Sequence, residues 1–214
     1  MTTKNRRERE REKMRRRILD AARQLFVKEG FDNVSLRRIA SRIEYSPAAL
    51  YRYFRNKKEI LSALREEGFA SFVERQERSR ERFPDPLERL RAGAREYIRF
   101  ALAEPDHYHL MFSTSCGQVD LDGEWAASSL RSFNMFRDLV IECAATGRFG
   151  EVEPDAMVFA LWGQLHGLVH LIATGQMAAL SNGADLDALL DRIIGFGLRP
   201  GLGNQQSTPE EERR

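Results

Sequence analysis

The stretch Ser46–Leu61, SPAALYRYFRNKKEIL, holds two tyrosines, two arginines and two lysines among few apolar residues. A core helix has no use for those cations, and a merely solvated helix has no use for the tyrosines. Ser46 can cap a helix, and Pro47 then falls at N1, where its missing N–H costs nothing. On a wheel of about 100° per residue, Leu50 and Phe54 share one side, and Ala48 and Arg52 the other. Arg55 lies near the outer pair, with Ala49 and Tyr51 at its flanks. Small residues at the N-terminal end let a helix backbone approach base edges, and an Ala methyl can pack on a thymine methyl. Arg52 can donate two hydrogen bonds to a guanine edge or reach a phosphate instead, and tyrosine hydroxyls commonly donate to phosphate oxygens.

Working outward, Ser35 can cap a short helix, LRRIASRI, with Leu36, Ile39, Ala40 and Ile43 as its apolar stripe. Glu44 and Tyr45 make the tight turn between the two. Upstream, Ile18, Leu19, Ala22, Leu25 and Phe26 recur at helical spacing, predicting a helix over residues 15–29 that Gly30 stops. Downstream, Asn56 and Glu59 are spaced as a capping box for a helix that runs through Leu61, Leu64, Phe69 and Phe72 to about Arg82. Two short helices joined by a tight turn make a helix-turn-helix. Lys57 and Lys58 sit in the first turn of the following helix, where the macrodipole disfavours cations. A phosphate held there would resolve the conflict, and extension into water would cost only a few tenths of a kcal/mol.

The charge distribution agrees. Residues 1–65 hold 19 lysines and arginines against 8 aspartates and glutamates, a net of +11, and the remainder holds 15 against 24, a net of −9. A basic third on an acidic remainder points to a polyanion-binding module joined to something else. The charged first seventeen residues are not a signal peptide, and two cysteines, Cys116 and Cys143, make no disulfide framework.

Beyond Pro86 every segment reads helical. Leu87–Ala103 and the short PDHYHLMF come first, then a loop with two glycines. Trp125–Ala145 follows, with Leu130, Phe133, Phe136, Leu139, Val140 and Cys143 as its stripe. Pro154 opens the next helix, and Asp185–Gly195 makes the last. No charged residue occurs from Ala156 to Ala184. That run is long enough for a membrane span, but Gly163, Gln164, His166, Gly167 and His170 interrupt it and no basic flank marks it. A helix buried in a core or a subunit seam is the simpler reading, and Gly163 and Gly167 would let another helix come close.

The run ILDAARQLFVKEGFDNVSLRRIASRIEYSPAALYRYFRNKKEIL, continued to Leu64, resembles the DNA-binding head of the TetR family of bacterial transcriptional regulators. The resemblance implies backbone contacts for Ser35, Ser46, Tyr51, Tyr53 and Lys57, and base-facing positions for Pro47, Ala48, Ala49 and Arg52. The family's turn usually reads Ala-Gly-Val; here it is Ile43, Glu44 and Tyr45, so Glu44 replaces a glycine that tolerates positive φ. LWGQLHGLVHL resembles a Trp–His–Gly signature of some C-terminal domains in that family. Such domains dimerise and carry an inducer pocket.

His166 and His170 stand one turn apart, a spacing that can hold a metal, but no third ligand shares their segment. Polar groups in a pocket or interface are the better reading. Of the aromatics, some belong to the core and some can surround an apolar pocket. The pocket candidates are Tyr97, Phe100, Tyr108, Phe112, Phe136, Trp162, His166 and His170. Gly163, Gly167, Val169, Leu189 and Ile193 are the dimer-interface candidates.

The expected fold is all-α, with an N-terminal three-helix helix-turn-helix head and a C-terminal antiparallel helical bundle that dimerises. The expected divisions are a basic flexible arm (1–14), a DNA-binding domain (15–64, its last helix continuing to about 82), a ligand-binding and dimerisation domain (83–200) and a disordered tail (201–214). The expected function is a cytoplasmic, nucleoid-associated, ligand-responsive regulator. It would act as a repressor that binds a palindromic operator as a homodimer and is released by a small, largely apolar effector. Double-stranded DNA and that effector are its partners, with no membrane, cofactor, metal or catalytic residue. The alternative is a helical metal- or small-molecule-binding protein or enzyme whose basic head is incidental.

Overall fold

A computed structural model describes residues 3–112, 127–150, 152–181, 183 and 185–198. Ten helices make up its regular structure: α1 (Thr3–Glu29), α2 (Leu36–Arg42), α3 (Pro47–Leu50), α4 (Lys57–Arg80), α5 (Pro86–Ala103), α6 (Pro105–Phe112), α7 (Ala127–Ala145), α8 (Pro154–Ala173), α9 (Gln176–Leu180) and α10 (Leu186–Gly197). The described residues contain no strand. The tail 201–214, and Cys116 in the glycine-containing loop, lie outside the described residues.

The chain divides into two compact units, with boundaries inside α4 after Glu74, inside α5 after Leu102 and inside α7 after Ser132. The first unit holds the head together with α6 and the start of α7. Ile18, Ala22 and Phe26 of α1 are buried with Ile39 and Ala40 of α2, Leu50, Phe54, and Ile60 and Leu64 of α4. These are the apolar stripes of the sequence, now meeting as one core. Met111 of α6 lies so close to α4 that a Cβ on Gly68 would stand 2.7 Å from its sulfur. A larger residue at 68 would force the Met111 side chain to shift.

One helix stop and three N-terminal caps shape the head. Gly30 turns left-handed at φ +81° and its N–H reaches the Phe26 carbonyl, ending α1. The Ser35 hydroxyl accepts from the Arg38 N–H at 3.2 Å, and the Ser46 hydroxyl from the Ala49 N–H at 3.3 Å. Asn56 accepts from the Glu59 N–H, and the Glu59 carboxylate answers on the Arg55 N–H at 2.6 Å, one residue before the expected partner.

The second unit holds the end of α4, α5, the rest of α7, and α8 to α10. Leu90, Ala94, Tyr97, Ile98 and Ala101 of α5 are buried here, as are Val140 and Cys143 of α7 and Val158, Leu161, Leu165 and Leu168 of α8. Burial pushes the Cys143 thiol up to about 11, consistent with a buried hydrophobe. Pro154 opens α8, and the Glu153 carboxylate caps it on the Asp155 N–H at 3.0 Å.

Several expectations change. The segment read as a basic arm is helical from Thr3, carried by i, i+4 pairs such as Arg6–Glu10 and Arg16–Asp20. Leu130, placed in an apolar stripe, is exposed. A short helix, α9, follows left-handed Gly175 where none was expected. By length and composition alone α8 could cross a membrane, its first turn carrying the charged Asp155.

Candidate nucleic-acid interface

The outer face of the helix-turn-helix begins at α2. Ser35, Arg37 and Arg38 are exposed there, but Arg38 is bound to Glu29 at 2.8 Å. Its guanidinium holds the Glu29 carboxyl below the usual range. Arg37 makes no ion pair among the described residues. The α2–α3 turn then carries Glu44 at φ +61°, the left-handed geometry that glycine would adopt without cost. Its neighbours brace it: the Tyr45 N–H reaches the Ala40 carbonyl at 2.9 Å, and the Arg17 guanidinium donates to the Ile43 carbonyl while stacking over the Tyr45 ring.

α3 is a single α-turn, shorter than the wheel supposed. Past Leu50 the backbone tightens: the Arg52 N–H reaches the Ala49 carbonyl and the Tyr53 N–H the Leu50 carbonyl, both i to i+3. The faces survive because the Phe54 N–H still bonds the Leu50 carbonyl at 3.0 Å. Leu50 and Phe54 are fully buried, and Arg15 lies 4.6 Å over the Phe54 ring. Ala48, Tyr51, Arg52 and Arg55 are exposed, Pro47 and Ala49 half-buried. Tyr53 is half-buried and packs against the head's core. Arg52 and Arg55 form no ion pair among the described residues. Ala48, Tyr51 and Arg52 are thus exposed together on this turn, with Pro47 and Ala49 partly covered beside them and Ser46 exposed at its start.

Lys57 departs from the expectation of a phosphate contact. Its ammonium donates to the carbonyls of Phe31 at 2.8 Å, Asp32 at 3.1 Å and Val34 at 3.2 Å, and lies 4.4 Å over the Phe31 ring. An ammonium has three protons, so every donor is taken. The α1–α2 loop carbonyls supply the negative partner that the α4 dipole denies it. Lys58 beside it is exposed. Reading the sequence missed Arg37 and this use of Lys57. The signal for neither is local: Arg37 and Arg38 differ only in which one reaches Glu29.

The pocket candidates separate. Tyr108 and Phe112 pack with Phe69 in the first unit. In the second, the Tyr97 hydroxyl meets His166 Nε2 at 3.0 Å, and the Trp162 ring lies 5.3 Å from the imidazole. Burial lowers the His166 pKa below its ordinary value, favouring neutral imidazole. Phe133 and Phe159 extend the cluster. Phe100 is fully buried beneath the Arg75 guanidinium. Phe136 lines an apolar cavity of about 10 Å³ with Leu90, Ala94, Leu161, Leu165 and Ile194, room for one water. His170, one turn further along the same side of α8, is exposed. Among the interface candidates, Gly163 and Gly167 are exposed with open space above them, and Leu189 and Ile193 are half-buried. Val169 is buried against its own chain and cannot meet a partner.

Two family models match the chain. Residues 18–64 match "Bacterial regulatory proteins, tetR family", and residues 90–196 match "Tetracyclin repressor-like, C-terminal domain". The HTH-type transcriptional regulator UidR of Escherichia coli (strain K12) is 35% identical over 74 residues, 35% of this chain and 34% of UidR. The chain therefore spans about a third of the length of that curated relative. Among solved structures, a protein of unknown function from Rhodococcus sp. RHA1 is 27% identical, with a TM-score of 0.66 over 85% of this chain and 90% of that one. AibR in complex with isovaleryl coenzyme A and operator DNA is 21% identical, with a TM-score of 0.66 over 87% and 99%.

Proposed function

We infer that this chain, which belongs to the TetR family of bacterial regulatory proteins and is a DNA-binding transcriptional regulator, acts as an effector-released repressor. It binds a palindromic operator as a homodimer, in the cytoplasm on the nucleoid. The observation that carries this reading is the exposed face of Ala48, Tyr51 and Arg52 on a turn whose inner side, Leu50 and Phe54, is fully buried. Pro47, Ala48, Ala49 and Arg52 face the bases. Ser35, Ser46, Tyr51 and Tyr53 are offered to the sugar-phosphate backbone, and Arg37 and Lys58 add free cations. The Ser35 and Ser46 oxygens already accept from backbone N–H groups, which leaves each hydroxyl proton for a phosphate.

The seam between protomers is α8. Phe159 is 58% exposed and Leu171 39%, and the Gly163 and Gly167 positions have no atom within 4 Å of an added Cβ. An apolar exposed stripe with two small residues supports close packing by a second α8. The effector enters beside Tyr97, Trp162 and His166, where a polar pair sits inside an aromatic cluster. The apolar cavity lined by Phe136 has room for only one water, so a ligand must favour an opened state, and only that difference in affinity can release DNA. AibR, which shares the fold, has been captured with an acyl coenzyme A and operator DNA, which supports pairing a small molecule with an operator in this architecture.

A mobility-shift titration on inverted repeats upstream of the gene tests the reading. Arg52→Ala should cost about 1–3 kcal/mol on the cognate site and flatten preference at one base pair. Lys58→Ala should weaken all duplexes alike and reduce the salt slope by about one. Unchanged operator binding in both variants would overturn the interface.

A further inference from the structure

α4 and α5 face each other across a cleft of about 430 Å³ within the second unit. α4 and the turn after it contribute Arg75, Arg78, Ser79 and Arg82, and α5 contributes Ala92, Arg95, Glu96 and Arg99. Each set is spaced i, i+3, i+4, i+7, the stripe that two packed helices normally fill with apolar residues. Here five of eight positions are arginine. Glu96 pairs with Arg75 at 3.5 Å, and Asp191 with Arg95 at 2.6 Å. Arg78 and Arg82 are exposed and make no ion pair among the described residues. The residues that line the cleft include five guanidinium groups and one carboxylate, Glu96. The C-terminal dipole of α4 favours Arg78, but Arg95 and Arg99 lie inside α5, where no such field acts. Phe83 forms an apolar edge to the same cleft.

We propose that this cleft binds a small molecule through a diphosphate group. Planar guanidinium forks match phosphoryl oxygens two at a time, and converging forks from two helices suit linked phosphates better than a single carboxylate. The volume lies within the range of small-molecule sites, and the concave shape suits a small ligand better than a duplex. The site lies outside the residues that match the DNA-binding model, 18–64, and stands whether or not the repressor reading does.

Calorimetric titration of the full chain with inorganic pyrophosphate and ADP tests it, with inorganic phosphate and citrate as comparison anions. Pyrophosphate and ADP should each bind one site per chain, more tightly than either comparison anion. Affinity should fall at least tenfold in R78Q/R82Q and hold in R80Q, an exposed arginine off the stripe. No saturable binding of either diphosphate, equal binding by the double variant, or citrate binding as well as pyrophosphate would overturn the proposal. A double variant that loses operator affinity in a chain that binds no diphosphate would mark the stripe as a DNA contact and overturn it too.

Discussion

Glu44 holds a left-handed backbone that a glycine adopts freely, in the turn that orients α3. Glu44→Gly should therefore raise stability by about 1 kcal/mol, read as a shifted denaturation midpoint with unchanged slope. Because it also removes an anion beside the interface, it should tighten DNA binding at low salt. Lys57 makes the opposite prediction. Lys57→Met keeps the bulk but leaves three loop carbonyls without their donor, and should cost about 1–3 kcal/mol of stability. A change in DNA affinity without a change in melting would instead restore Lys57 as a phosphate contact. Both residues were conspicuous in the sequence as conflicts with local rules: a non-glycine at a turn, a cation at a helix N-terminus. Local rules could locate the conflict at Lys57 but not its resolution, because the carbonyls that resolve it are more than twenty residues away in the chain.

At the scale of elements, the helical stripes of α1, α2, α4 and α5 were readable because burial on one face imposes the helical period on the sequence. α3 and α8 were less so. α3 tightens after one α-turn, a backbone choice to which side-chain periodicity is nearly blind. α8 is apolar nearly all round, so its sequence could not say which face meets α5. The structure puts His166 against Tyr97 and leaves His170 exposed. That placement has a pH consequence. The unfolded imidazole titrates near 6.5, and burial holds the folded value lower, so the unfolded chain binds the extra proton first. The contribution of neutral His166 is complete above 6.5 and is lost as pH falls below it. Melting temperature should drop between pH 7.5 and 5.5, and H166Q should flatten that dependence. An unchanged slope would mean that His166 is not shielded from water.

For the whole molecule, the basic head and acidic remainder set the terms of DNA binding. The logarithm of operator affinity should fall linearly with that of salt, with a slope near 0.9 per phosphate neutralised. The exposed α8 stripe is the seam proposed for the homodimer. Gly167→Arg adds bulk and charge where nothing lies within 4 Å, so the fold should persist while the dimer dissociates, as read by light scattering and circular dichroism. A dimer that survives this change would move the seam off α8. What the sequence by itself determined was the all-α class, the helix-turn-helix and its outward face, because amphipathic period and capping chemistry act over a few residues. Only the tertiary structure decided which cations remain for a ligand. Arg37 and Arg38, or Arg78 and Arg75, are alike in the sequence. Ion pairing depends on which carboxylate the folded chain brings within a few ångströms, and no local pattern records that distance.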